Sequence, residues 1–357
     1  MNLVSRYNMK LLISNYMDLL VICILTIQIS IPTYGQNLAD STATKSNDTL
    51  STALVLTGSV REGIWIMTNY PIPYLGFGHF LQKNWVSGSI FFGTELGLLF
   101  LKSGLENKVG PQNIRRYPNI SNDAVYIRRN GLSSVSNAYQ QYANIAYQSA
   151  YYVPMIDLFS AYRTLHNGTF ATNKVQMDGT SIPNLLLSPF KPKYLVNPWV
   201  FLPIILCEGG NYFESRSDKP LSSARDVTLF NSTYTPTQAA FVHMGVSAFK
   251  YILVATGEEM MFRGIIQTQL TESTNPTAAI IISSLLFGAW HIPNNGLGNA
   301  LGATLIGLYA GYRYQHNGYD LGEVIALHFW LDWFASSIGF IQNPQQAQYV
   351  FGINWKL

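Results

Sequence analysis

The sequence predicts an all-α fold, a polytopic transmembrane helix bundle, and two observations support this. Charged residues make up only 11% of the 357 residues, whereas 48% are hydrophobic; a typical soluble domain has about 25% charged residues. A spanning helix needs about 20 mostly apolar residues, and the chain contains a series of apolar runs near that length. The candidate spans are residues 85–101, 142–165, 194–212, 239–255, 276–292, 300–314 and 323–341.

The first 60 residues are predicted to target the chain and then connect it to the bundle. Arg6 and Lys10 precede a short apolar run at 19–31, a pattern typical of a secretory signal peptide. We therefore assign residues 1–35 to a signal peptide, with an uncleaved signal anchor as the alternative. Residues 36–60 are predicted to be a polar linker, because the segment is rich in Ser, Thr, Asn and Asp and has few residues that could form a core.

Residues 61–235 are predicted to form an N-terminal membrane region, to which the sequence assigns no role. Gly76, Gly78 and Gly88 surround the start of the first span and indicate a re-entrant turn that leads into a helix. Six basic residues between positions 102 and 130 favour a cytoplasmic position for the loop that follows.

Charge and cysteine content exclude several other classes of function. The net charge of +3 is small and dispersed, so no nucleic-acid partner is expected. Cys23 and Cys207 are isolated in apolar runs and cannot form a CxxC metal site or a disulfide framework.

The first motif that could carry chemistry combines two adjacent carboxylates with an arginine at the end of an apolar run. Glu259 and Arg263 are i,i+4 neighbours on one helix face and are predicted to pair. Glu258 is turned by about 100° around an ideal helix and is free to address another helix. Two adjacent acids in one apolar environment can take different roles, one ionised in a pair and the other acting as a base.

Two further motifs follow in the next apolar helices. Phe287 and His291 share one helix face, and His328 and Asp332 share another, each pair at i,i+4 spacing. Ionisable groups inside apolar helices are costly and suggest function. We therefore expect the helices that carry Glu258, His291 and His328 to converge on one cavity within the bilayer, where these groups suffice for acid–base hydrolysis of a carbonyl.

Taken alone, each motif also has a purely structural interpretation. The first motif could lie on a solvated helix face, and His328 and Asp332 could form an internal hydrogen bond. A divalent metal is a further alternative, because Glu258, His291, His328 and Asp332 are acceptable ligands. No His-Glu-x-x-His motif occurs, so no cofactor is expected.

Taken in order, Glu258-Glu259-x-x-x-Arg263, Phe287-x-x-x-His291 and His328-x-x-x-Asp332 resemble the signature of the CAAX-protease and bacteriocin-processing (CPBP) family of intramembrane proteases. The resemblance covers about residues 238–341, and we assign the protease core to residues 236–345 and a C-terminal tail to 346–357. The segment 307–313, with its small-x-x-x-small pair Gly307 and Gly311, also resembles the family's connection between the second and third motifs.

The resemblance implies a glutamate-dependent endopeptidase that acts on membrane-associated proteins or peptides, as an integral protein of a bacterial cytoplasmic membrane. Glu258 and His291 would activate the attacking water, while His328 and Asp332 would bind the oxyanion. Glu259 and Arg263 would support the first motif. A non-catalytic immunity or scaffold protein of the same fold, or a metal-dependent hydrolase, is the alternative.

Asp332 departs from the family pattern, because prenyl-protein proteases typically have Asn at this position. An ionised Asp cannot donate a hydrogen bond to an oxyanion. Asp332 is therefore either protonated or orients His328 as an acceptor, and we favour the orienting role because i,i+4 spacing places the two side chains together.

Overall fold

The computed structural model describes residues 41–68, 72–109, 126–128, 138–169, 175–177, 179–214, 220–230, 232–342 and 344. These residues are overwhelmingly helical, which confirms the prediction of an all-α bundle. The predicted signal peptide or signal anchor at 1–35 and the tail at 346–357 lie outside the described residues.

Four helices make up the N-terminal part of the bundle, namely α1 (Ser41–Thr68), α2 (Phe77–Leu81), α3 (Trp85–Val109) and α4 (Ala138–Thr169). The part of the predicted polar linker at 36–60 that the structure describes is helical, because α1 begins at Ser41, and this helix buries Leu54 and Val55. The polar composition indicated a linker, but a hydroxyl group can donate a hydrogen bond to a carbonyl oxygen of its own helix. Thr57 Oγ1 donates to the carbonyl oxygens of Ala53 and Leu54 at 2.9 and 3.0 Å.

The chain makes a tight turn at Gly76 between α1 and α3, whereas the re-entrant course expected from the glycines stays a prediction. Gly76 adopts a positive φ of 67°, and a Cβ there would lie 2.3 Å from the carbonyl oxygen of Gly88, so only glycine fits. Two buried carboxylates anchor the turn. Glu95 of α3 accepts the backbone N–H groups of residues 74 and 75 at 2.6 and 2.8 Å, and Asp157 of α4 accepts that of Gly76 at 2.6 Å.

The middle of the chain is less regular. It contains α5 (Ile182–Leu186), α6 (Pro192–Leu195) and α7 (Pro198–Glu214), followed by strands β2 (Asp226–Leu229) and β3 (Ser232–Tyr234). With β1 (Tyr126–Arg128) these strands form a small antiparallel sheet in the order β1-β2-β3. The predicted span at 194–212 starts too early, because α6 ends at Leu195 and a new helix begins at Pro198, where proline suits the first turn.

The C-terminal helices carry the three motifs. Helix α8 (Pro236–Glu259) begins at a capping box formed by Thr235 and Gln238. It continues directly into a π-helical segment, Met260–Gln267, and then into α9 (Thr268–Ser273). Helices α10 (Pro276–His316) and α11 (Leu321–Gln342) are the last two helices of the described part of the chain.

Helix α10 is a hairpin of two helical halves that meet at Gly296, whose φ of 80° and ψ of 175° are not helical. The predicted spans 276–292 and 300–314 correspond to these halves. The close approach expected at Gly307 and Gly311 is confirmed, because a Cβ at Gly307 would lie 3.2 Å from Ser284 Cα, and one at Gly311 would lie 3.2 Å from Ile280 Cγ2.

Helix α4 packs closely against α8 and the π-helical segment at two glycines. A Cβ at Gly257 would lie 3.0 Å from the ring of Tyr152, and one at Gly264 would lie 2.4 Å from the ring of Phe159. Helix α11 packs on the same helix from another side, where Trp333 Nε1 donates to the carbonyl oxygen of Met244 at 2.9 Å. The main core lies between these elements.

Among the residues that the structure describes, two helices are long and apolar enough to cross a membrane by length and composition. They are Pro236–Ser273, which joins α8, the π-helical segment and α9, and Leu321–Gln342. Shorter apolar helices occupy Pro198–Cys207 and Pro276–Ile292. These four elements include the segments that bear all three sequence motifs.

Candidate active site

Glu259 lies at the centre of a buried ionic network. Its Oε1 atom accepts a hydrogen bond from Arg263 Nη1 at 3.1 Å, as the i,i+4 spacing predicted, and also contacts His328 Nδ1 at 2.7 Å. Arg263 Nη2 in addition donates to the carbonyl oxygen of Gly307 at 3.1 Å. The first and third motifs are therefore joined through one carboxylate oxygen, and α10 is joined to them through Arg263.

Glu258 points away from Arg263 and toward two other helices, as predicted. Its Oε1 atom accepts from the hydroxyl of Tyr152 on α4 at 2.8 Å. Its Oε2 atom lies 3.8 Å from His328 Nε2, which is too long for a direct hydrogen bond. Within the described part of the chain, this buried oxygen has no hydrogen-bonding partner.

His328 thus presents its two ring nitrogens to different carboxylates. Nδ1 contacts Glu259, whereas Nε2 lies 3.5 Å from Asp332 Oδ2 and 3.8 Å from Glu258 Oε2. A carboxylate only accepts hydrogen bonds, so the short contact to Glu259 places a proton on Nδ1. Asp332 lies beside His328 as its spacing predicted, but Glu259 makes the shorter contact.

His291 completes the set from the first half of α10. Its Nδ1 atom lies 2.7 Å from the carbonyl oxygen of Phe287. A carbonyl oxygen can only accept, so Nδ1 carries the proton and Nε2 is the acceptor of the neutral ring. His291 interacts electrostatically with Glu258, as do His328 and Asp332.

The ring of Phe287 packs between the motif residues. Its centroid lies 4.7 Å from that of His291 and 5.9 Å from that of His328. The guanidinium of Arg263 lies over the same ring at 4.7 Å, within the range of a cation–π contact. Three of the six predicted site residues, Arg263, His291 and His328, therefore lie around the ring of Phe287. The other three, Glu258, Glu259 and Asp332, lie 3.8, 2.7 and 3.5 Å from the ring nitrogens of His328.

Tyr152 is the site contact that the sequence did not predict. It lies in the candidate span 142–165, which contains several tyrosines, and no motif distinguishes it from its neighbour Tyr151. The only signal is indirect, because Gly257 precedes Glu258 and is the position at which α4 comes close to α8.

The positions of the possible metal ligands bear on the alternative of a metal-dependent hydrolase. Among the described residues, no group of three or more His, Cys, Asp or Glu side chains is placed so that it could hold a metal ion. Glu259 is occupied by Arg263 and His328, whereas Glu258 Oε2 and Asp332 Oδ2 both lie near His328 Nε2.

The site combines buried carboxylates with two histidines on apolar helices. Residues 241–334 match the family model described as Rce1-like, type II CAAX prenyl endopeptidase Rce1-like. This match supports a CAAX-type intramembrane protease at the family level, over these residues only, and it confirms the resemblance to the CPBP family. Searches of curated proteins and of solved structures find no significant match to this chain.

Proposed function

We propose that this protein is an intramembrane endopeptidase in which Glu258 activates water to hydrolyse peptide bonds of membrane-associated proteins or peptides. The observation that carries the proposal is the buried Oε2 atom of Glu258, which lacks a partner within the described chain and faces His328. A carboxylate oxygen in this position can accept a proton from water. The matched protease family supports the same class of reaction.

The proposed reaction begins when Glu258 Oε2 takes a proton from a water molecule and the water oxygen attacks the carbonyl carbon of the peptide. His291 Nε2, the acceptor of that ring, receives the second hydrogen bond of the same water. Glu258 then returns the proton to the leaving amine nitrogen as the carbon–nitrogen bond breaks. One water is consumed, and the products are a carboxylic acid and an amine.

The negative charge that develops on the carbonyl oxygen requires donors on the opposite side. His328 donates from Nε2 in its doubly protonated form, in which Glu259 balances the positive charge at Nδ1. Pre-placed donors of this kind contribute strongly in a site that excludes water. Asp332 lies on the same Nε2 side, so it either donates to the oxyanion when protonated or adjusts the position of His328.

Glu258→Gln is the variant that tests this proposal. Gln keeps the shape and the hydrogen bond to Tyr152 but cannot take a proton, so turnover is expected to fall by about 10²–10⁴-fold, the usual contribution of a general base. The measurement compares membrane peptides from bacterial cells that produce wild-type or variant protein, followed by cleavage of an accumulating peptide by purified protein in liposomes.

Glu272→Gln is the matched control. Its carboxylate accepts a backbone hydrogen bond from Val175 at 2.8 Å, away from the motif residues, and Gln retains an acceptor there. Identical peptide profiles for wild type and Glu258→Gln would argue for the non-catalytic alternative. Loss of wild-type cleavage on addition of a chelator, restored by a divalent metal, would instead favour the metal-dependent hydrolase.

A further inference from the structure

We infer that Tyr152 is a positioning residue for Glu258, so that a helix outside the matched segment completes the proposed protease site. The inference rests on the proposed function and extends it to the N-terminal region. The hydroxyl of Tyr152 holds one carboxylate oxygen of Glu258 and thereby directs the other toward the reacting groups.

The contact has the chemistry that this role requires. Tyr152 Oη lies 2.8 Å from Glu258 Oε1, and both side chains are buried, with exposed fractions of 8% and 4%. An ionised carboxylate only accepts hydrogen bonds, so the tyrosine hydroxyl is the donor. Such a bond to a charged acceptor is stronger than one between neutral groups.

Fixing one carboxylate oxygen of Glu258 matters because the distribution of the last side-chain torsion of a glutamate is broad and allows two nearly equivalent orientations. With Oε1 occupied by Tyr152, the carboxylate keeps Oε2 directed at His328, 3.8 Å from its Nε2 atom. The same bond keeps the transferred proton on Oε2, since Oε1 already accepts from the hydroxyl. The proton therefore stays on the oxygen that must deliver it to the leaving amine.

The position of Tyr152 is itself fixed by packing. A Cβ at Gly257 would lie 3.0 Å from Tyr152 Cδ1 and 3.2 Å from its carbonyl oxygen, so the absence of a side chain at Gly257 allows α4 to come this close. Tyr151 packs edge-on against Tyr152 at 4.8 Å between ring centroids and stacks on Trp290 at 6.0 Å. These rings restrict the movement of the hydroxyl that contacts Glu258.

Tyr152→Phe removes this hydroxyl and keeps the ring, and Tyr151→Phe is its matched control. Tyr151 is the adjacent residue and is equally aromatic, but its hydroxyl donates to Glu62 Oε2 at 3.2 Å. The assay measures kcat and KM for a peptide cleaved by the wild type, together with the unfolding temperature of each variant.

We expect Tyr152→Phe to lower kcat by about 10²-fold, as a small misplacement of a reacting group does. KM should change by less than about twofold, because ground-state binding is retained. Tyr151→Phe should keep wild-type kcat, and the two variants should unfold at similar temperatures, which separates positioning from a general loss of structure.

Two results would overturn the inference while leaving the proposed function intact. One is a kcat for Tyr152→Phe within roughly threefold of the wild type, and the other is an equal loss of kcat in Tyr151→Phe. Failure of the proposed function has a different signature, because wild type and Glu258→Gln would then show the same activity toward every peptide tested, and the role assigned to Tyr152 would fall with it.

Discussion

The charge on Glu259 is predicted to stabilise the fold more than the charge on Glu258, although the two residues are adjacent. Glu259 Oε1 accepts from Arg263 at 3.1 Å and contacts His328 at 2.7 Å. Glu259 and Arg263 are each only 1% exposed. Glu259→Gln removes the negative charge and replaces one oxygen with an NH₂ group, so Arg263 becomes a buried cation without its anionic partner.

The expected loss of stability in Glu259→Gln depends on which contacts Arg263 loses and which it keeps. Breaking a buried ion pair from one side typically costs about 3–5 kcal/mol. Arg263 retains its hydrogen bond to the carbonyl oxygen of Gly307 and its contact with the ring of Phe287, so we expect a loss near the lower end, about 3 kcal/mol. Glu258→Gln keeps an oxygen that can accept from Tyr152, so it should cost about 1 kcal/mol or less.

Reversible unfolding of the purified variants in mixed detergent micelles, titrated with SDS, measures this difference. We expect the free energy of unfolding of Glu259→Gln to lie about 2 kcal/mol below that of Glu258→Gln, the difference between the two costs above. Free energies that agree within about 0.5 kcal/mol, the usual size of a neutral change, would refute the assignment of Glu259 as the buried structural partner and Glu258 as the free base.

Two further predictions concern packing and the third motif. Gly264→Ala should destabilise the protein by about 1–3 kcal/mol through overpacking, because the new Cβ would lie 2.4 Å from the ring of Phe159. Gly245→Ala is the control, because a Cβ at Gly245 would have nothing within 4 Å. It should be neutral or slightly stabilising in the same unfolding titration. Asp332→Asn should keep kcat within about tenfold of wild type, since Glu259 already places the proton on His328 Nδ1. A fall of about 10⁴-fold, as when a catalytic histidine loses its orienting carboxylate, would assign that role to Asp332.

The parts of the site that lie on single helices were predictable from sequence. The pairing of Glu259 with Arg263, and the placement of His328 beside Asp332, depend only on i,i+4 spacing. The close approach at Gly307 was predictable for a related reason, because repeated small residues on one face indicate where a neighbour fits. In each case the information is local, and the structure confirms the contact.

Contacts between helices were not predictable in the same way. The short contact of His328 to Glu259 joins residues that are distant in sequence, and the spacing of the third motif indicated Asp332 as the orienting partner of His328. The π-helical segment Met260–Gln267 adds to the difficulty, because its wider turn breaks the regular 100° per residue used to place side chains on a face. Whether Asp332 binds the oxyanion or orients His328 stays a prediction, which the Asp332→Asn variant tests.

Helix α1 was missed for a different reason. Polar composition at 36–60 indicated a linker, but composition counts side chains and does not show which hydroxyls bond within their own helix, as that of Thr57 does. Burial of Leu54 against the main core outweighs the polar average. Tertiary packing of this kind overrides local propensity and is not visible in a single sequence.

The contact of α4 with α8 has a consequence for whether residues 241–334 can be moved to another chain without α4. Residues 241–334 carry the recognisable motifs, but Gly257 and Gly264 present a face that is shaped for two rings of α4. That helix is in turn tied through Asp157 to the turn at Gly76. Residues 241–334 transplanted into another chain without α4 would therefore keep an uncovered groove at Gly257 and Gly264, which lipid or another side chain would have to fill.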